Sequence, residues 1–210
     1  ADEAKPYLAE LRKAGALRDL ALYWGVPGWA AAQWSKDSSI PEGKRLVRAC
    51  GMRTYLSLRL SRGVDRDEYI KEYNESGRKG WASPFMENSM RTAANPYPLE
   101  LPGYGEGKIT PQSESSMLVP ESLAKRWNGG PLLDMCCGRG IKTGQLADIR
   151  RDAQIEAWDL SEPRVKAAKF EMMRMRAEDR VKFKVGDALS LTPDVQPEAI
   201  LLDAPCTGSG

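Results

Sequence analysis

PLLDMCCGRGIKT, residues 131–143, is the stretch on which the fold turns. A short apolar run, Pro131–Met135, leads through Asp134 into a loop with glycines at 138 and 140, and a helical pattern follows near residues 143–150. The same alternation continues downstream. Ile155–Asp159 reads as a strand, residues 161–177 as an amphipathic helix with Pro163 in its first turn, Val181–Val185 as a strand, and Ala199–Asp203 as an apolar strand ending in an acid. Strands alternating with helices predict an α/β fold with a parallel, Rossmann-like sheet. In such sheets ligands bind at the carboxyl ends of the strands.

Each of those ends carries polar chemistry. The first bears Cys136, Cys137, Gly138, Arg139, Gly140, Ile141 and Lys142. Its glycines let backbone approach a ligand, and the following helix offers free N–H groups. The loop is not a Walker A motif, because Ile141 stands where Gly must precede Lys-Thr. Nor is it a full dinucleotide fingerprint, because Thr143 occupies the place of the third glycine. The second strand ends in Asp159, 19 residues after Gly140, a spacing that suits a carboxylate holding ribose hydroxyls. An Asp there equally suits the cap of the next helix, a role also open to Ser161. Asp187, in Gly186-Asp187-Ala188, is placed either to accept from an adenine amino group or to form a turn. Three acidic strand ends in succession point to a ligand with several donors, such as an adenosyl group. The fourth strand runs into Asp203-Ala204-Pro205-Cys206, which puts a carboxylate and a thiol on a loop stiffened by proline. A thiolate there is a strong nucleophile, whereas a buried cysteine is inert packing.

Upstream of Asn128-Gly129-Gly130 the pattern differs, and three pieces are expected: a helical segment over 1–52, a small α+β module over 53–128 and the parallel-sheet domain over 129–210. Residues 4–22 have helical spacing, and Pro27 opens a second helix through Trp29 to Trp34. Residues 42–51 suggest a further helix, residues 55–60 alternate as a strand, and Asp65 caps a helix that stops at Gly77. Five prolines between residues 84 and 111 predict short strands and loops, and residues 112–128 read as helical with a kink or break at Pro120. Met172, Met173 and Met175 read as helix packing.

Composition excludes several classes. The 210 residues are 41% hydrophobic and 29% charged, as in globular chains rather than disordered or fibrous ones. There is no histidine, hence no His-based triad, and the four cysteines include no Cys-x-x-Cys pair, which argues against a structural zinc site. No apolar run is long enough to cross a membrane. The opening ADEAKPYLAELRKAG has no secretory pattern, so a cytoplasmic protein with reduced thiols is expected, and a start at Ala rather than Met suits a processed or trimmed chain. Residues 1–60 hold ten Lys and Arg against six Asp and Glu, a bias that fits nucleic acid or merely a solvated surface. Tyr23, Trp24, Trp29 and Trp34 either stack on bases or form the core of their segment, and Lys36, Lys44, Arg45, Arg48, Arg53 and Arg59 either meet phosphates or solvent.

Residues 131–210 resemble the first half of the catalytic domain of the RsmB/Sun (NOL/NOP-type) RNA cytosine-5-methyltransferases. That family's loop reads Asp-x-Cys-Ala-x-Pro-Gly-Gly-Lys-Thr. Asp134, Cys136, Gly140, Lys142 and Thr143 match it, while Cys137, Arg139 and Ile141 replace Ala, Pro and the second Gly. Asp159 with Arg164 resembles the second motif, Gly186-Asp187-Ala188 the third, and Asp203-Ala204-Pro205-Cys206 matches the fourth in full, with Thr207-Gly208 after it. Val26–Trp29, Leu58–Ser61 and Gly107–Ser116 resemble the small RNA-binding module that precedes the domain.

The resemblance implies a class I methyltransferase fold, S-adenosylmethionine as cofactor, single-stranded or loop RNA, from rRNA or tRNA, as substrate, and no metal. It implies that residues 136–142 wrap the methionine part, that Asp159 with Arg164 holds the ribose and Asp187 the adenine. Asp203 and Lys142 then sit beside the target base, and Cys206 acts in product release. The attacking cysteine of the family lies in a later Thr-Cys motif that these 210 residues lack. The expectation is therefore a piece of a longer protein that binds cofactor without transferring methyl. In the alternative, Cys206 itself attacks, as the Pro-Cys thiol does in DNA cytosine methyltransferases. Other readings are a methyltransferase with a different substrate, a nicotinamide-dependent dehydrogenase, and an RNA-binding scaffold with weak or no cofactor binding.

Overall fold

The computed structural model describes residues 4–13, 15–51, 55–93 and 96–206. Arg53 and Thr207-Gly208, singled out above, lie outside the described residues. The chain divides into two compact units, one within residues 4–51 and one within 55–206.

The first unit is helical: α1 (Ala4–Lys13), α2 (Leu17–Trp24), α3 (Gly28–Asp37) and α4 (Ile40–Gly51). The single helix expected over 4–22 is thus two. Ala16, extended at φ −71° and ψ 141°, precedes α2, and Gly15 next to it is the poorest helix former short of proline. Gly25 ends α2 in the left-handed conformation at φ 68°, its N–H donating to Ala21 and Leu22 carbonyls. Leu20, Ala21, Ala31 and Val47 form the core, with Trp24 and Trp34 packed around it. Trp29, by contrast, is 72% exposed. A side chain at Gly43 would strike Ser35, so a glycine is what lets α4 approach α3 there.

The second unit holds two four-stranded sheets. The antiparallel one comprises β1 (Leu56–Leu60), β2 (Gly80–Ala82), β3 (Ser89–Thr92) and β4 (Ile109–Pro111) in the order β2-β3-β1-β4. Alternation along β1 turns Leu58 and Leu60 to one face, where they pack with Met90, Ile109, Tyr69 and Tyr73 of the sheet and of α5 (Arg66–Glu75). Asp65 caps α5 as expected, accepting from the Glu68 N–H at 2.9 Å. Helix α6 (Glu114–Ala124) follows, capped by Ser113, and runs through Pro120 without ending. The buried face Met117, Pro120 and Ala124, packed against the next helix, outweighs the one backbone bond that proline forgoes.

The parallel sheet is β5 (Leu132–Asp134), β6 (Ile155–Asp159), β7 (Val181–Val185) and β8 (Ala199–Leu201), ordered β7-β6-β5-β8. Helices α7 (Ile141–Ile149) and α8 (Glu162–Arg174) connect its first three strands. Leu132, Leu146, Ile155, Met172, Val181 and Leu201 lie in one core. Met173 does not join Met172 in it, being 61% exposed, because consecutive helical positions point about 100° apart. The order reverses at β5: the chain builds outward through β6 and β7, then returns to pair β8 with the other edge of β5. This doubly wound arrangement places the ligand crevice at the carboxyl ends of β5 and β8.

Candidate functional site

Asp134 closes β5 and is 1% exposed. Its Oδ2 accepts from Thr143 Oγ1 at 2.7 Å, while its Oδ1 is buried with no hydrogen-bond partner. Burial pushes its carboxyl up to about 6, and the neighbouring Asp203 adds to the rise against the Thr143 bond and Lys142. From the sequence, Asp134 counts among the acidic strand ends but is assigned no role of its own. An acid closing an otherwise apolar run was the signal available for one.

The loop after Asp134 is pinned on both sides. Met135 N–H donates to Leu201 O at 3.0 Å, and Cys137 N–H to Trp158 O at 2.7 Å. Gly138 and Gly140 are left-handed, at φ 56° and 80°. A Cβ on Gly140 would lie 2.9 Å from Ala168 Cβ, so glycine also permits the close approach of α8. The thiols of Cys136 and Cys137 are both pushed up by burial and by the surrounding carboxylates, which holds them protonated at neutral pH.

Asp159 is 7% exposed. Its Oδ2 accepts from Gly138 N–H and its Oδ1 from Ser161 N–H, each at 2.9 Å, so it shapes the loop and the start of α8 together. Ser161 makes no side-chain cap bond. Each carboxylate oxygen keeps a second lone pair for a hydroxyl donor. Arg164 lies 3.9 Å from Asp159 Oδ1 and is largely exposed. Asp187 is exposed and accepts from Leu189 N–H at 2.9 Å, the turn-forming role.

Lys142, in the first turn of α7, is ion-paired with Asp203 just beyond β8. The two face a cavity of about 370 Å³ that also has Asp134, Cys136, Cys137, Arg139 and Ile141 in its walls. Gly138, Gly140, Asp159, Arg164, Asp187 and Cys206 lie outside those walls, and Cys206 is exposed. Leu201 of β8 completes the wall together with Pro111, Gln112, Ser113 and Ser116 of the preceding module, which reading the strand ends alone did not bring to the site. Among the described residues no cluster of three or more His, Cys, Asp or Glu is placed to hold a metal, and no helix is long and apolar enough to cross a membrane.

Comparison with known proteins bears on the family and the fold. Residues 122–210 match the family model for 16S rRNA methyltransferase RsmB/F. The chain is 32% identical over 172 residues to ribosomal RNA small subunit methyltransferase B of Klebsiella pneumoniae, covering 80% of this chain and 39% of that protein. The chain thus spans about two-fifths of the length of the curated relatives it matches. The solved structure of PH0851 superposes with a TM-score of 0.80 at 26% identity, over 92% of this chain and 44% of that one. A methyltransferase homolog protein from Pyrococcus horikoshii shares the fold, with a TM-score of 0.73 at 24% identity over 94% of this chain and 65% of that one. The sheet is that of a class I methyltransferase, and residues 122–210 of the chain are similar to the RsmB/F methyltransferase family.

Proposed function

We propose that this chain is the cofactor-binding part of an S-adenosylmethionine-dependent RNA cytosine-5-methyltransferase. The observation that carries the reading is the meeting, at the β5/β8 switch point, of the cofactor-type loop with an intact Asp203-Ala204-Pro205-Cys206 run, Asp203 and Lys142 sharing one cavity. The relatives named as ribosomal RNA methyltransferases support RNA as the substrate class.

The residues fit such a cofactor. Asp134 in the cavity wall suits an ammonium, and Arg139 in the same wall suits a carboxylate. Asp159 has lone pairs left for ribose hydroxyls beside Arg164, and Asp187 closes the next strand end, where the adenine is expected. When bound, S-adenosylmethionine supplies an electrophilic methyl group. In this chemistry a cysteine thiolate adds to C6 of cytosine and makes C5 nucleophilic. Once C5 carries the methyl group, its proton leaves to a base and the C6–sulfur bond breaks, returning the thiolate. Lys142, ion-paired with Asp203, holds that carboxylate at the cavity where the target base is expected. Cys206 acts in the release step. Cys136 and Cys137, held protonated, are unsuited to attack, and the family's Thr-Cys pair does not occur in these 210 residues.

Calorimetric titration with S-adenosylmethionine, with NAD and ATP as controls, tests the reading. Saturable binding of S-adenosylmethionine alone, lost in Asp159→Ala, is the expected result. A folded chain that binds RNA but no S-adenosylmethionine would support the scaffold alternative instead.

A further inference from the structure

The Pro111–Ser113 wall of the cavity is held by a buried side-chain relay. Arg59 on β1 is 4% exposed and points away from the α5 face of its sheet, where Leu58 and Leu60 pack. Its Nε donates to Gln112 Oε1 at 2.9 Å, and its Nη1 donates to Asp148 Oδ2 on α7 at 3.3 Å. Gln112 Nε2 donates in turn to Gln145 Oε1 on α7 at 2.6 Å. Gln145 Nε2 donates to the Met117 carbonyl of α6 at 3.0 Å. The Gln112 amide is thus gripped at both ends, by Arg59 on one side and by α7 on the other.

A buried ion pair of this kind is weak evidence for stability, because desolvating both charges offsets their attraction. Its directional bonds do fix geometry. Gln112 sits between Pro111 and Ser113, and Gln145 lies one helical turn beyond Ile141 and Lys142. The relay therefore joins one wall of the cavity, at Gln112, to the helix whose first turn carries the facing Ile141–Lys142 wall.

We propose that Arg59 is a positioning residue: through Gln112 and Gln145 it sets the separation of the Pro111–Ser113 and Ile141–Lys142 walls, and with it the fit of the cavity to its ligand. Only the ligand's identity, S-adenosylmethionine, rests on the function proposed above.

The test uses Arg59→Lys, which keeps the charge but not the fork of donors. It also uses Gln112→Met, which cuts the relay and leaves the Arg59–Asp148 pair in place. Met90→Ala, hollowing the core on the opposite face of the antiparallel sheet, is the control for lost stability alone. Two quantities are read at a temperature where circular dichroism shows every variant folded. One is the iodoacetamide alkylation rate of Cys136, resolved by peptide mass; the other is the calorimetric Kd for S-adenosylmethionine. In both relay variants the alkylation rate is expected to rise about fivefold as the walls loosen, and the Kd about tenfold as the site is misplaced. Met90→Ala is expected to lower the melting temperature and leave both readouts unchanged. Relay variants that lose melting temperature yet keep wild-type alkylation and Kd would overturn the proposal, as would a Met90→Ala protein that changes as they do. If the wild type binds no S-adenosylmethionine while Cys136 still responds to the relay, the cofactor reading fails and the positioning role stands. Should Arg59→Lys not fold, Gln112→Met carries the test.

Discussion

Lys142 and Asp203, 61 positions apart, form an ion pair that joins the first turn of α7 to the end of β8. It lies where the strand order reverses, the one place where residues following β5 and β8 become neighbours. Half of the Asp203 side chain is solvent-exposed, so the pair matters little to folding. Lys142→Met and Asp203→Asn are each expected to change the unfolding free energy by less than about 1 kcal/mol. If the pair serves the ligand, each also weakens S-adenosylmethionine binding. Denaturant melts beside calorimetry check both halves.

Asp134 makes stability depend on pH. Its folded-state value of about 6 lies above the ordinary carboxylate range, so between those values the folded chain holds more protons than the unfolded one. Stability from this group is present at acid pH and is lost as pH rises through about 6, by roughly 3 kcal/mol in all. Asp134→Asn is expected to remove that slope, so the variant gains on the wild type between pH 4 and pH 7. Urea melts across that range read the difference, and parallel slopes in the two proteins would contradict the assignment.

The two loop glycines are expected to differ under the same substitution. At Gly138, where a methyl group would meet open space, alanine faces only the left-handed backbone and costs about 1–2 kcal/mol. At Gly140 the added carbon also runs into Ala168 at 2.9 Å, for a total of about 2–5 kcal/mol. Equal melting temperatures for the two variants would count against the close approach of α8.

Among the N-terminal aromatics, Trp29 and Trp34 separate surface from core. Trp29→Ala is expected to leave stability within about 0.5 kcal/mol, because the ring is 72% exposed. Trp34→Ala removes a ring packed on the helical core and is expected to cost at least about 2 kcal/mol. If the unit touches RNA by stacking, Trp29 is the ring free to do so, and its loss lowers RNA affinity in a filter-binding assay without moving the melting temperature.

The strand-and-loop alternation after Gly130 was legible because period-two apolar runs, glycine loops and acidic strand ends are local signals. So was the cap at Asp65, whose bond spans three residues. The break between α1 and α2 was missed, since helical spacing continues across residues 4–22 while Gly15 weakens the helix between them. Asp159 resisted a choice between cap and ligand holder because one carboxylate has lone pairs enough for both.

By itself the sequence determined which residues end the parallel strands, and so which chemistry could gather at the sheet's carboxyl edge. Only the tertiary structure decided that β8 pairs with β5, bringing Asp203 to Lys142, and that Pro111–Ser116 completes the cavity. It alone turned Arg59, one polar residue in an alternating strand, into the buried end of a relay to α7. The reason is physical: secondary structure follows periodicity within a few residues, whereas strand order and the pairing of buried polar groups depend on which surfaces distant segments bury together.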